Sequence, residues 1–283
     1  MLKADRLDSI IAAGVVPEII IAAPNGRNAH KHSFYVNSPV TGNWETYVVE
    51  DVVNYVDANY RTLPTPSSRG IAGHSGGGNG ALFLAMRNSH VFGAVYAMAP
   101  CCLGPRLSLP SSSELFESGE LGPIWTNVFS RIGALASVDQ IPPAFTDRRE
   151  DFLVNTQIAS GAAYAPNPDR PPFYADYLYE ARDGDLVRNE STFERRMALS
   201  NYYLIDKHED DLRSLHGILI DYGEHETEPL VSGTSEFAKA IAERGIPFVL
   251  EVYAGGDHGN MIAERFETRG LRFFADTLQF SAE

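Results

Sequence analysis

Residues 69–85 read RGIAGHSGGGNGALFLA. A short apolar segment, Gly70 to Gly73, runs into a His-Ser pair set in glycine, then into a run of helical spacing from Gly78 to Arg87. The pentapeptide Gly73-His74-Ser75-Gly76-Gly77 fits G-x-S-x-G. It stands between a predicted strand and a predicted helix, the context that gives this pattern meaning. A serine on so tight a turn holds a strained backbone and presents its hydroxyl. The residues two before and two after it close on one another, which predicts that Gly73 and Gly77 lack side chains for steric reasons. The turn also aims a helix N-terminus at the serine, so the Gly76 N–H can donate to a developing oxyanion. Gly78 and Gly80 carry no such argument beyond close helix packing. The competing reading, a plain glycine-rich turn, is decided by the rest of the chain.

The same strand–helix rhythm extends outward. Pro17–Ala23 (PEIIIAA) predicts a buried strand that ends at Pro24-Asn25-Gly26. Trp44–Tyr60 has valines at helical spacing (Val48, Val49, Val52, Val53, Val56). Phe92–Ala99, His216–Tyr222 and Pro247–Tyr253 predict strands; Pro229–Arg244, with Gly245 as its stop, and Met261–Thr277 predict helices. Apolar strands alternating with helices imply an α/β fold, a mainly parallel sheet covered by helices on both faces. The rhythm fails from Cys101 to Leu215, where no clear strand is visible, prolines cluster (Pro142-Pro143, and PNPDRPP at 166–172) and aromatics such as Trp125, Phe129 and Tyr177 crowd together. A structureless loop of that length is improbable. The expectation is one domain over 1–283 with a largely helical, cap-like insertion at about 101–215, against the alternative of an ordinary core extension.

Composition narrows the partners. The chain has 283 residues, 44% of them hydrophobic, and a formal net charge of −14. An acidic surface repels phosphate, so neither nucleic acid nor an anionic membrane is expected as a partner. No apolar run reaches the ~18 residues a membrane span needs. The two cysteines, Cys101 and Cys102, are adjacent and offer no disulfide framework. The start, MLKADRLDSIIAAG, does not read as a secretory signal, which predicts a cytoplasmic protein, or a secreted one if the native N-terminus lies upstream.

A serine hydroxyl is a poor nucleophile without a base. Of eight histidines, His258 in AGGDHGN follows the last predicted strand, where a loop reaches the top of the sheet. His30 and His32 sit in a polar loop and read as solvent-facing; His90, His208 and His216 read as surface or element-end residues. His74 is expected to point across the turn, away from Ser75. The acid is expected after the strand at 216–222, where DYGEHETEP offers Asp221, Glu224, Glu226 and Glu228. Glu226, three residues past Gly223, is placed to reach the imidazole, with Asp221 the main rival. HKH at 30–32 and DKHED at 206–210 lack a full ligand set, so no metal and no cofactor are expected.

At these residues the chain resembles the esterase family of α/β-hydrolases that includes S-formylglutathione hydrolases, feruloyl and acetyl xylan esterases, and mycolyltransferases. The matching pieces are IIIAAPNG (19–26), SFYVNSP (33–39), NWETYVVEDVVNYVDANYRT (43–62), GIAGHSGGGNGALFLAM (70–86), FGAVYAMAP (92–100), DYGEHE (221–226) and AGGDHG (254–259). The resemblance implies an α/β-hydrolase fold with Ser75 as nucleophile, Glu226 as acid in place of the usual Asp, and His258 as base. It also implies a small ester as substrate. Asn25, Gly26, His74 and Trp125 are the candidates for substrate contact. Acyl transfer and thioester hydrolysis use the same residues, and a catalytically weak binding module is the reading from another class. The family's earlier strands, one of which ends in a loop that completes the oxyanion hole, have no counterpart before residue 17. A homo-oligomer that covers the resulting sheet edge is therefore expected.

Overall fold

The computed structural model describes residues 3–105, 121–143, 149–182 and 185–281. Its strands are β1 (Asn37–Ser38), β2 (Gly42–Asn43), β3 (Gly70–His74), β4 (Ala94–Met98), β5 (Tyr179–Arg182), β6 (Asp185–Arg188), β7 (Gly217–Gly223) and β8 (Val249–Tyr253). Four of them form a parallel sheet in the order β3-β4-β7-β8. The central strand β4, AVYAM, is buried at every position, as a parallel strand covered on both faces must be. Register aligns the strand ends: His74 pairs with Met98, Met98 with Asp221, and Gly223 with Tyr253. Every loop leaving a strand C-terminus therefore emerges at one edge of the sheet, where open α/β sheets build their sites.

The chain forms two compact units: Met1–Pro24 with Val49–Ser108 and Ser200–Glu283, and Asn25–Val48 with Leu109–Leu199. The first holds the parallel sheet. Its helix Gly76–Arg87 buries nine consecutive residues, Gly78 to Met86. Helix Glu228–Glu243 begins with Pro in its first turn, ends before Gly245 at φ +65°, and buries Phe237 and Ile241. Phe266, Leu271, Phe273 and Phe274 from the last helical segment pack with Tyr96 and Leu219.

Two strand expectations change here. Pro17–Ala23 forms no ladder, and Ile20 and Ile21 are exposed. Apolar, β-branched residues supply propensity, but a strand exists only where a neighbour takes its backbone groups. The sheet's other edge, β8, is likewise not doubly buried: Val249, Leu250 and Val252 are exposed. The helix expected at 44–60 forms, with a π-helical turn at Tyr47–Val52 between Trp44–Thr46 and Val53–Asn59.

The second unit is built from helices Leu121–Ala134, Arg149–Tyr164 and Glu190–Met197 and the antiparallel hairpin β5–β6, a strand pair within the stretch expected to have none. Its core joins Val128, Phe129 and Ile132 to Val154, Ile158, Phe173 and Tyr177. Segment Asn25–Val48 belongs to this unit, whereas 101–105 and 200–215 of the expected insertion belong to the first. Within it Ser38 Oγ donates to the Ala162 carbonyl at 2.6 Å.

Candidate active site

The nucleophile turn is set by backbone geometry. Ser75 has φ +56°, ψ −118°, a conformation that L side chains adopt only under constraint. The constraint is visible: its N–H donates to the Met98 carbonyl at 2.9 Å, and its carbonyl accepts from Asn79 at 3.0 Å and Cys101 at 3.1 Å. A Cβ on Gly73 would lie 2.1 Å from the Gly77 carbonyl oxygen, so glycine is required there. Gly77 differs from expectation, because a Cβ there would meet nothing within 4 Å. The close approach is between the Gly73 α-carbon and the Gly77 backbone, so only one of the pair bears the steric demand. Gly78, given no role from sequence, would press its Cβ at 3.1 Å against the Gly73 and Met98 carbonyls. Gly76 opens the helix, so its N–H has no intrahelical acceptor.

Ser75, His258 and Glu226 come together. His258 Nε2 lies 2.9 Å from Ser75 Oγ, and His258 Nδ1 lies 2.7 Å from Glu226 Oε2. A carboxylate can only accept, so Nδ1 carries the proton and Nε2 is left to accept from the serine hydroxyl. The Glu226 side chain is fully buried, and its Oε1 accepts from Thr227 N at 2.7 Å and Thr227 Oγ1 at 3.2 Å. Thr227 was not among the sequence candidates; it acts by fixing the carboxylate's second oxygen.

The acid and base loops are joined along their backbones. Glu224 N donates to the Tyr253 carbonyl at 2.9 Å and His225 N to the Gly256 carbonyl at 2.7 Å. Asp257 Oδ1 accepts from Gly259 N and Asn260 N, both at 2.8 Å, and these bonds hold its carboxyl below the usual range. The D-x-G-N spacing is the sequence signal for that turn.

Asp221, the rival acid, is committed elsewhere. It is fully buried at the end of β7 and accepts from Tyr96 OH at 2.6 Å and Arg265 Nε at 2.9 Å. Burial pushes its pKa up against those two donors. Arg265 also pairs with Glu251 at 2.7 Å and stands over the Tyr253 ring.

The four residues expected at the substrate fare differently. His74 is held against the base: its Nε2 donates to the His258 carbonyl at 2.7 Å, with the two rings 4.9 Å apart. Burial, and then the adjacent imidazole, lower its pKa. Trp125 is a core residue, 5% exposed and stacked on Phe129 at 6.2 Å, because an indole beside so many apolar side chains is drawn inward. Asn25 accepts from Arg27 N at 3.1 Å, and a Cβ on Gly26 would strike the Tyr35 hydroxyl at 2.7 Å; both are held locally in the second unit. His30 and His32 are not solvent-facing either. His30 donates to the Phe173 carbonyl at 3.1 Å, and burial pushes the His32 pKa down to about 4. His208 is also tied down, with Nδ1 2.8 Å from Asp211. Among the described residues no group of three or more His, Cys, Asp or Glu could hold a metal ion, and no helix is long and apolar enough to cross a membrane.

A parallel sheet with a strained serine between strand and helix, and an acid and a histidine on the loops that leave β7 and β8, defines an α/β-hydrolase fold. The chain belongs to the family described as "Putative esterase", whose profile matches residues 3–261. It is 40% identical over 191 residues to Esterase Rv1288 of Mycobacterium tuberculosis, covering 64% of this chain and 38% of that protein. The chain thus spans about two fifths of that curated relative. It is 39% identical over 95 residues to S-formylglutathione hydrolase of Mus musculus, covering 32% of each. Among solved structures a ferulic acid esterase superposes with a TM-score of 0.55 at 21% identity, over 96% of this chain and 76% of that one.

Proposed function

We propose that this chain is a serine carboxylesterase that cleaves small carboxylic esters through an acyl-enzyme. The observation that carries the reading is the continuous hydrogen-bonded line Ser75 Oγ–His258–Glu226, at 2.9 and 2.7 Å, on a turn whose serine sits at φ +56°. Ser75 Oγ attacks the ester carbonyl while His258 Nε2 takes its proton. Glu226 holds the imidazole tautomer and stabilises the imidazolium. The proton then passes to the departing alkoxide, and water activated by His258 releases the acid. The Gly76 N–H is one oxyanion donor. Family membership and relatives named as esterases support the reaction class. Thioester hydrolysis by the same residues is the second reading, favoured by the segment shared with S-formylglutathione hydrolase.

A fluorophosphonate probe tests the proposal. Stoichiometric labelling of Ser75, abolished in Ser75→Ala together with turnover of p-nitrophenyl acetate, is expected; labelling elsewhere, or an active Ser75→Ala protein, overturns it. A second copy covering the sheet edge left without the family's earlier strands is part of the same reading, because an open edge invites pairing. A monomeric mass by light scattering at working concentration removes it.

A further inference from the structure

The second unit buries a guanidinium that its neighbours do not neutralise. Arg196, in helix Glu190–Met197, is 5% exposed. Among the described residues its one hydrogen bond runs from Nη1 to the neutral Ser160 Oγ at a long 3.4 Å, and it stands over the Tyr164 ring, 5.6 Å from the centroid. The carboxylates around it are occupied by other cations. Asp176 Oδ2 accepts from Arg195 at 2.6 Å, and its Oδ1 from Asn167 at 2.8 Å and Arg170 at 3.3 Å; Glu180 accepts from Arg170 at 2.8 Å. Arg170 and Arg195 thus take Asp176 and Glu180, and among the described residues no carboxylate forms an ion pair with Arg196. A buried ion is tolerated only with a counter-charge or a full set of hydrogen bonds.

A cavity of about 10 Å³ opens beside that charge, lined by Gln157, Ser160, Tyr164, Asp176, Thr192 and Arg196. Its size suits one particle about as large as a water molecule. Gln157, 3% exposed, lines the same space as the Arg196 side chain. Thr192 Oγ1 already accepts from Arg195 at 3.3 Å, which leaves its own proton to donate.

We propose that this cavity binds a single monatomic anion, chloride or bromide, held by the Arg196 guanidinium with the Gln157 amide and the Thr192 hydroxyl as further donors. Phosphate and carboxylates are too large for it. The Asp176 carboxylate on its wall does not oppose this, because its charge is held by Arg170 and Arg195. The ion would join helices Arg149–Tyr164 and Glu190–Met197, and so acts on the stability of this unit, independently of the esterase reading.

The test is thermal unfolding of the whole chain at fixed ionic strength, with gluconate replaced stepwise by chloride or bromide. Saturating halide is expected to raise Tm by about 3–6 °C. Arg196→Met is expected to lose that response and Gln157→Leu to weaken it. Crystals soaked in bromide are expected to give an anomalous peak within hydrogen-bond reach of Arg196 and Gln157. That peak and Gln157→Leu decide the matter if Arg196→Met does not fold. A Tm indifferent to halide, an Arg196→Met protein with the wild-type halide response, or a cavity holding only water would overturn the proposal.

Discussion

The two units use buried polar groups in opposite ways. In the second, carboxylates are internalised and paired, with Arg196 the exception among the cations: Asp176 is gripped by two arginines and an asparagine, and Arg131 pairs with Asp151. In the first, the line from Glu226 through His258 ends on a serine hydroxyl that nothing else holds among the described residues, and the His258 side chain stays 36% exposed. Backbone strain occurs in both, at Ser75 in one and at Lys31, Phe34 and Tyr35 in the other. Only in the first does the strained residue carry a nucleophile beside a base. A saturated network stabilises; a network left open at one end is available for chemistry.

That contrast breaks first at the open end. Ser75→Ala should lower kcat by 10⁴-fold or more while leaving Tm nearly unchanged, because the side chain is small and uncommitted to packing. Glu226→Gln should cost about 10²–10⁴ in kcat by supplying the wrong partner to Nδ1. Asp221→Asn should instead spare kcat within a few-fold and lower the unfolding midpoint, since it breaks a buried pair with Arg265. If the two carboxylate variants exchanged behaviours in one kinetic and calorimetric series, the assignment of the acid would be reversed.

The turn sharpens the comparison at the backbone. Gly73→Ala must displace the Gly77 carbonyl and should cost at least ~100-fold in kcat, since sub-ångström misplacement of a catalytic group is costly. Gly77→Ala, with open space at its Cβ, should retain most activity. Equal losses in the two alanine variants would refute the steric account.

In the second unit the corresponding effects are on stability. Trp125→Ala should destabilise by about 3–5 kcal/mol through cavity formation. Its activity per folded molecule, measured well below the transition, tests whether Trp125 acts through packing alone. The smallest effect concerns pH. His32 is kept neutral by burial, with Arg27 nearby, at a pKa of about 4 against 6.5 for a free histidine. The stability it contributes is therefore present above pH 6.5 and is lost as pH falls from 6.5 through 4, by up to ~3 kcal/mol. His32→Phe should flatten that part of the denaturation-versus-pH curve; an unchanged slope would assign it to other groups.

The nucleophile turn was legible because each requirement is local: a strand, a serine between small residues, a helix. The order of Ser75, Glu226 and His258 along the chain was legible for a related reason, since each follows a strand whose end must reach the same edge of a parallel sheet. The placement of Trp125 was not. Trp125 read as surface chemistry because sequence reports residue type and not direction, and its side chain turned inward. The same limit hid His30 and His32, whose polar neighbours gave no sign that the loop folds against Phe173 and under cover. The strand at Pro17–Ala23 failed for a different reason: propensity is carried by the segment, but pairing is carried by its neighbour.

The sequence by itself determined the fold class, the position of the strained serine and the candidates for its acid and base, because periodicity and steric exclusion act over a few residues. Tertiary structure alone decided that Glu226 and not Asp221 meets His258, that Gly73 and not Gly77 bears the steric demand, and that Arg196 is buried without a counter-ion among the described residues. Each of those depends on which distant backbone or charge arrives within a few ångströms, and that distance is a property of the packed chain.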